Sequence, residues 1–256
     1  MEKWITFDLD GTLMQNPFVE WVFPEIESTV LEKAGGELQV KDALVAEHNR
    51  RMKENLITEA YDWDDILKQF LQESDIDLQI DIEELVIKHS IHPKVYLLEN
   101  EIIDTLLKIK GKGYQLAVAT NGYYKYQFPV LETLQLSGLF DLTITPEEVG
   151  YAKPDVRMIQ SLSNKGKILA HVGDRIDHDV NIANQLGIPS VLIMRRLPEE
   201  YTKLTPIERA KHPGCIDLCR QKWEKETRNE FGPFTSELVP TYIIHSITEL
   251  ETCLTK

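Results

Sequence analysis

Near the amino terminus, Asp8 and Asp10 stand two residues apart at the end of the apolar run Trp4-Ile5-Thr6-Phe7, with Gly11 and Thr12 directly behind them. In an extended strand, residues i and i+2 point the same way. The two carboxylates therefore leave the strand as a pair, and the glycine lets the chain turn sharply. Asp-Gly is also an ordinary turn signal after a strand, so the rest of the chain has to decide between chemistry and a turn. Three further polar ends follow apolar runs. Tyr114–Ala119 ends in Thr120-Asn121-Gly122, a later turn carries Lys153-Pro154-Asp155, and Ile168–Val172 ends in Gly173-Asp174 with Asp177, His178 and Asp179 beyond. Brought together, Asp8, Asp10 and Asp174 would repel by about 4 kcal/mol per close pair at an effective dielectric of about 20. That calls for an oxygen-loving dication such as magnesium. A phosphate drawn to the site gains from the metal and from Lys153, and phosphorus so masked is open to attack by an aspartate oxygen.

These residues need a scaffold that delivers strand ends to one place. From Leu97 onward, helical and strand patterns alternate: helix Leu97–Lys112, strand Tyr114–Ala119, helix Gln127–Leu136, strand Phe140–Thr145, strand Ile168–Val172, a helix through Ile182 and Leu186, and strand Ser190–Met194. Pro154 is placed to open a helix just after Lys153. Pro240–His245 reads as a last strand and Ile247–Leu254 as a closing helix. This rhythm predicts an α/β fold, a Rossmann-like parallel sheet wrapped by helices, in which ligands bind at the carboxyl edge of the strands. Between the first strand and the rest, apolar residues recur three and four apart over Val19–Lys33, Leu38–Asn55, Trp63–Glu73 and Ile82–Ser90, with a break at Gly35-Gly36. The domain division expected is a core of residues 1–14 and 95–256 and a smaller all-helical insertion of residues 15–94. Trp21, Phe23, Trp63 and Phe70 read as the core of that insertion. Residues 195–239 read as an irregular, charged excursion with one helix around Ile216–Arg228, and Arg195 and Arg196 emerge where a strand ends.

The 28 basic and 42 acidic residues give a net charge of −14, which repels a polyphosphate backbone and argues against nucleic acid as a partner. No apolar run approaches the roughly 18 residues of a membrane span, and the stretch before Asp8 is too short for a signal peptide. A cytoplasmic protein with no membrane contact is expected. The three cysteines, Cys215, Cys219 and Cys253, fit reduced thiols in that compartment. His212, Cys215 and Cys219 lie close together, but a structural zinc site needs a fourth ligand, and no second cluster supplies it.

Taken in order, Asp-x-Asp-Gly-Thr at 8–12, the strand-ending Thr120, Lys153, and Gly-Asp followed by Asp179 resemble the signature of the haloacid dehalogenase superfamily, and the helical insertion resembles that family's cap. The resemblance implies that Asp8 is the nucleophile and Asp10 the general acid and then base. It also implies that Thr120, Asn121 and Lys153 bind the phosphoryl group of the substrate, and that Asp8, Asp10 and Asp174 hold magnesium, with Asp179 a further candidate that fits the spacing better than Asp177. The function implied is a magnesium-dependent phosphatase acting on a small phosphorylated metabolite, a nucleotide or a sugar phosphate among them, through an aspartyl-phosphate. A phosphomutase and a non-catalytic binding protein are the alternatives. The carboxylate at Asp10 argues for phosphoryl transfer, since members acting on carbon–halogen bonds lack it. Tyr123, Tyr124 and Tyr126 faintly resemble the nucleotidase branch and read better as packing, and His178 reads as a solvent-facing helix residue.

Overall fold

The computed structural model describes residues 1–35, 38–54, 56–228 and 230–254. Among the described residues eight strands are formed: β1 (Glu2–Phe7), β2 (Met14–Gln15), β3 (Tyr96–Leu97), β4 (Gln115–Ala119), β5 (Leu142–Ile144), β6 (Gly166–Gly173), β7 (Ser190–Ile193) and β8 (Tyr242–Ile244). Six of them make one sheet in the order β5-β4-β1-β6-β7-β8, with every pairing parallel. Such a sheet is covered on both faces, so its strands are continuous apolar runs. Ile5, Phe7, Leu116, Val118, Val172 and Leu192 are all fully buried. The expected α/β parallel sheet is therefore present.

The register explains why polar residues gather at one edge. Phe7 pairs with Val118 of β4 and with Val172 of β6, so the residues that follow these three strands emerge side by side. β1 sits between the other two, which places Asp8 at the centre of that edge.

Helices Phe23–Ala34, Val40–Lys53, Ile57–Ala60, Trp63–Glu73 and Ile82–His89 fill the insertion. The expected break at Gly36 and the expected helix end at Asn55 lie outside the described residues. The insertion enters and leaves through β2 and β3, which pair antiparallel, Met14 with Leu97 and Gln15 with Tyr96. That pairing, extended by the bond from Leu98 N to Leu13 O (3.0 Å), holds the chain extended after Tyr96. The helix expected from Leu97 consequently starts only at Ile102. Phe23 is buried and Trp63 and Phe70 pack against the core, whereas Trp21 is 41% exposed with Lys94 Nζ 4.6 Å above its ring. The expectation that all four are core fails at Trp21.

Two further corrections concern the second half. Lys153 and Pro154 lie in a turn, and the next helix runs Arg157–Gln160, its first amide donating to Asp155 Oδ1 at 2.9 Å. Pro154 does not open it. The segment expected to be irregular but for one helix around Ile216–Arg228 is helical over Glu199–Thr202, Pro206–Lys211 and Pro213–Thr227, so the expected helix is present, starts earlier and has two others before it. Thr205 and Glu208 close a capping box at the second of these. Cys215, Cys219 and Trp223 bury themselves against Ile176, Val180, Leu192 and Ile243, so the segment continues the core beyond β7 and β8. His212 caps the third helix by accepting from Gly214 N (3.1 Å). No described helix is long and apolar enough to cross a membrane.

Candidate active site

Asp8 is the hub. Lys153 Nζ donates to its Oδ1 at 2.6 Å, and Thr12 Oγ1 donates to its Oδ2 at 3.0 Å. Both of its oxygens are thereby fixed on a residue only 8% exposed. Thr12 also lies 3.4 Å from Asp174 Oδ1, tying the end of β1 to the end of β6. Gly11 makes this approach possible: at φ +80° it adopts a backbone that L side chains rarely take, and a Cβ there would stand 2.8 Å from the Asp174 carboxylate.

Lys153 is buried and bridges Asp8 and Asp179, with the second bond at 2.7 Å. Burial works against its charge, but the carboxylates of Asp179 and Asp8 outweigh it and hold the ammonium firmly protonated. Asp179 in turn accepts from the Arg175 amide (3.0 Å) and meets His171 Nε2 (3.1 Å), whose Nδ1 lies 2.8 Å from Thr6 Oγ1. Burial would raise the pKa of Asp179, yet Lys153 and His171 keep it ionised and well below the carboxylate range. Asn121 brackets the lysine from the other side. Its Oδ1 accepts from Lys153 N (2.8 Å), and its Nδ2 donates to Lys153 O (3.1 Å) and to Tyr61 Oη of the insertion (2.9 Å). Its amide is thus occupied in placing Lys153. Thr120 is buried, and its hydroxyl accepts from Gly122 N (3.2 Å), which leaves its own hydrogen to donate.

Single carboxylate oxygens of Asp8, Asp174 and Asp179 all lie within 4.8 Å of one another, a group able to hold a metal ion. The donors are all carboxylate oxygens, the set a hard dication prefers. Burial, then the charges of Asp8 and Asp179, raise Asp174 to about 7. That crowding is what a bound cation would relieve. Asp10 does not join this group through its carboxylate: Gln127 Nε2 donates to its Oδ2 at 2.8 Å, and burial followed by the charge of Asp8 raises its pKa to about 6. Asp177 faces away and holds Arg175 (2.9 Å) at the start of a wide helical turn, Ile176–Val180. His178 is not solvent-facing as expected, but partly buried beside Asp177, and burial lowers its pKa to about 4.

Tyr123 and Tyr126 pack, as the sequence reading favoured: Tyr123 Oη donates to Thr58 O (2.7 Å), and Tyr126 Oη donates to Asp64 Oδ2 (2.9 Å). Tyr124 is 45% exposed and stacks on Phe128. Sequence reasoning assigned no role to Gln127, His171, Lys222 or Glu226. Glu226 Oε2 accepts from the amides of Ile176 and Asp177 (2.9 and 3.3 Å), and Lys222 Nζ reaches within 4.0 Å of Asp174 Oδ2. Their sequence neighbourhood carries no motif. Thr12, by contrast, stood inside a quoted motif without a role.

A parallel sheet whose central strand delivers an aspartate against a buried lysine and a cluster of carboxylates defines a hydrolase site of the phosphoryl-transfer type. The family model "haloacid dehalogenase-like hydrolase" matches residues 2–187, and the chain belongs to that family. It is 31% identical over 202 residues to the glyceraldehyde 3-phosphate phosphatase of Methanocaldococcus jannaschii, covering 76% of this chain and 86% of that one. A shorter match, 31% over 98 residues, joins it to the phosphoglycolate phosphatase of Aquifex aeolicus, covering 37% of this chain and 46% of that protein. Among solved structures, a HAD phosphatase from Thermococcus onnurineus superposes with a TM-score of 0.51 at 26% identity, over 78% of this chain and 90% of that one. The magnesium-bound putative HAD-hydrolase YfnB from Bacillus subtilis shares the fold over 100% of this chain and 99% of that one (TM-score 0.57, 15% identity). The family match stops before β7, so helix Pro213–Thr227 with Lys222 and Glu226 lies outside it.

Proposed function

We propose that the protein is a magnesium-dependent phosphatase that hydrolyses a small phosphomonoester through an aspartyl-phosphate on Asp8. The observation that carries this reading is the fixing of both Asp8 oxygens, by Lys153 and Thr12, beside Asp174. Asp8, Asp174 and, at their flank, Asp179 would hold the metal, which when bound supplies charge neutralisation for the phosphate. The Asp8 carboxylate attacks phosphorus in line with the leaving oxygen. The Lys153 ammonium, held charged beside the nucleophile, faces the oxygens of the transferring group, and the free hydrogen of Thr120 is directed to the same group. Such prearranged donors supply most of the stabilisation in this chemistry. Asp10 protonates the leaving alcohol, and its raised pKa of about 6 suits a group that must both give and take a proton near neutrality.

Residues 15–94 act as a cap over this site, with Tyr61 reaching from it to Asn121. The named activities of the relatives support a substrate of the size of a phosphorylated sugar or hydroxy acid. Free, buried cysteines fit a cytoplasmic setting. A panel of phosphate esters assayed with magnesium and with chelator tests the reading. Metal-dependent release of phosphate supports it, and inactivity on every ester, or full activity in chelator, overturns it.

A further inference from the structure

The two oxygens of Asp10 stand in different surroundings. Oδ2 accepts from Gln127 Nε2 at 2.8 Å, while Oδ1 is buried without a hydrogen bond of good geometry, the Asn16 side chain being the carboxyl's other polar neighbour. Gln127 comes from helix Tyr124–Thr133 and is itself only 3% exposed. Its amide lies tight against the turn after β4: a Cβ at Gly122 would stand 2.2 Å from Nε2. A carboxamide nitrogen offers hydrogens and no accepting lone pair. The oxygen it meets must therefore accept, and a proton carried by Asp10 is left to Oδ1.

Resting on the phosphatase reading above, we propose that Gln127 is a positioning residue that gives the two oxygens of Asp10 separate duties, Oδ2 as the anchored end and Oδ1 as the oxygen that transfers protons. In the first step the bond from Asp8 to phosphorus forms, the ester P–O bond breaks, and the leaving oxygen takes the proton from Oδ1. In the second step water attacks phosphorus and loses a proton to Oδ1 as the bond to Asp8 breaks. Ester and water become alcohol and phosphate, and Asp10 ends protonated as it began. Without the anchor the carboxyl group can rotate, and the protonated oxygen is no longer held toward the reacting centre.

The test is the dependence of the loss on the leaving group. Gln127→Met keeps the length and removes the donor. An alkyl phosphate, whose alkoxide must be protonated as it leaves, should lose about 10²-fold in kcat/KM, the low end of a general-acid contribution. For 4-nitrophenyl phosphate, whose leaving group needs no proton, kcat/KM should change less than about 3-fold. For that substrate kcat and KM should fall together, and phosphate should accumulate on Asp8 on acid quench, because the second step still needs Oδ1. Gly122→Ala, which presses on the same amide without removing it, should give the same signature more weakly, and it decides the matter should Gln127→Met fail to fold. Equal losses on both esters, or no loss on either, would overturn the proposal. Inactivity of the parent enzyme on both esters in magnesium would instead overturn the phosphatase reading on which it stands.

Discussion

At the level of single residues, the site combines one strongly held nucleophile with carboxylates that crowd each other. Asp8→Asn replaces a charged nucleophile by an amide. It should abolish turnover, with no phosphoprotein detectable after acid quench; phosphate trapped on another residue would show that the nucleophile lies elsewhere. Asp174 gives a stability signal that needs no substrate. Its pKa is about 7 in the folded, metal-free chain against an ordinary 3.8, so the folded form binds more protons than the unfolded one between about pH 4 and 7. Its contribution to stability is therefore present at low pH and lost as pH rises through 7. His178, lowered to about 4, works the other way below about pH 6.5. Asp174→Asn should thus raise the melting temperature in chelator more at pH 8 than at pH 5. Magnesium should stabilise the parent at pH 8 and the variant much less. A variant whose melting curve tracks the parent at both pH values would contradict this.

At the level of elements, two segments beyond the family signature brace the site. Arg195, at the end of β7, donates to the carbonyls of Gly11 (2.9 Å) and Thr12 (2.6 Å) and to Glu99 Oε1 (2.8 Å), while Glu99 also accepts from Ser246 Oγ and Ile247 N (2.6 and 2.9 Å). The guanidinium thus clamps the turn behind Asp10. Arg195 is therefore neither solvated nor free to meet a substrate, since its donors are taken by the two carbonyls and Glu99, whereas Arg196 is exposed. Arg195→Ala should cost about 1.5–3 kcal/mol in urea unfolding, the range for hydrogen bonds to a charged group. It should also lower kcat for large and small phosphate esters alike. A rise in KM confined to the larger substrate would restore the recognition role. Helix Pro213–Thr227 brings Lys222 within 4.0 Å of Asp174, with Glu226 2.9 Å from the lysine. A cation at that distance competes with another for the same carboxylate. Lys222→Ala should tighten magnesium binding several-fold by calorimetry, and weakened binding would assign the lysine the opposite role.

At the level of the whole molecule, the insertion is joined to the core by polar pins as well as by shared apolar packing. Asp64 is the densest of these. Its Oδ1 accepts from Ile82 N (2.8 Å), and its Oδ2 accepts from Lys125 Nζ (2.6 Å) and Tyr126 Oη (2.9 Å) on the core helix that also carries Gln127. Lys53 and Glu230, both largely exposed, meet at 3.1 Å between the insertion and the segment after helix Pro213–Thr227. A pair so solvated adds little. Asp64→Ala should therefore destabilise the protein by about 2–3 kcal/mol, whereas Lys53→Ala should change the urea midpoint hardly at all. The reverse order would place the hold on the insertion at the surface pair.

The alternation of apolar runs and turn residues was enough to determine a parallel α/β sheet with a helical insertion, because buried strands and amphipathic helices write their periods directly into the chain. The types and order of Asp8, Asp10, Thr120, Lys153, Asp174 and Asp179 were likewise enough to indicate phosphoryl chemistry. Register then did what spacing could not. Pairing Phe7 with both Val118 and Val172 brings residues more than 100 positions apart to one edge, and it gathered Asp8, Asp174 and Asp179 while leaving the carboxylate of Asp10 to Gln127. The partners of the named residues were invisible beforehand for the same reason. Gln127, His171 and Lys222 act through contacts set by how helices and strands stack, and a lone polar residue in a periodic pattern carries no mark of what it will face. Of the helices after β7, Pro206–Lys211 was not legible because its buried face is completed by Arg209, fully enclosed and bonded to Glu249 and to three carbonyls. A charged residue in the core becomes legible only once its partners are in place.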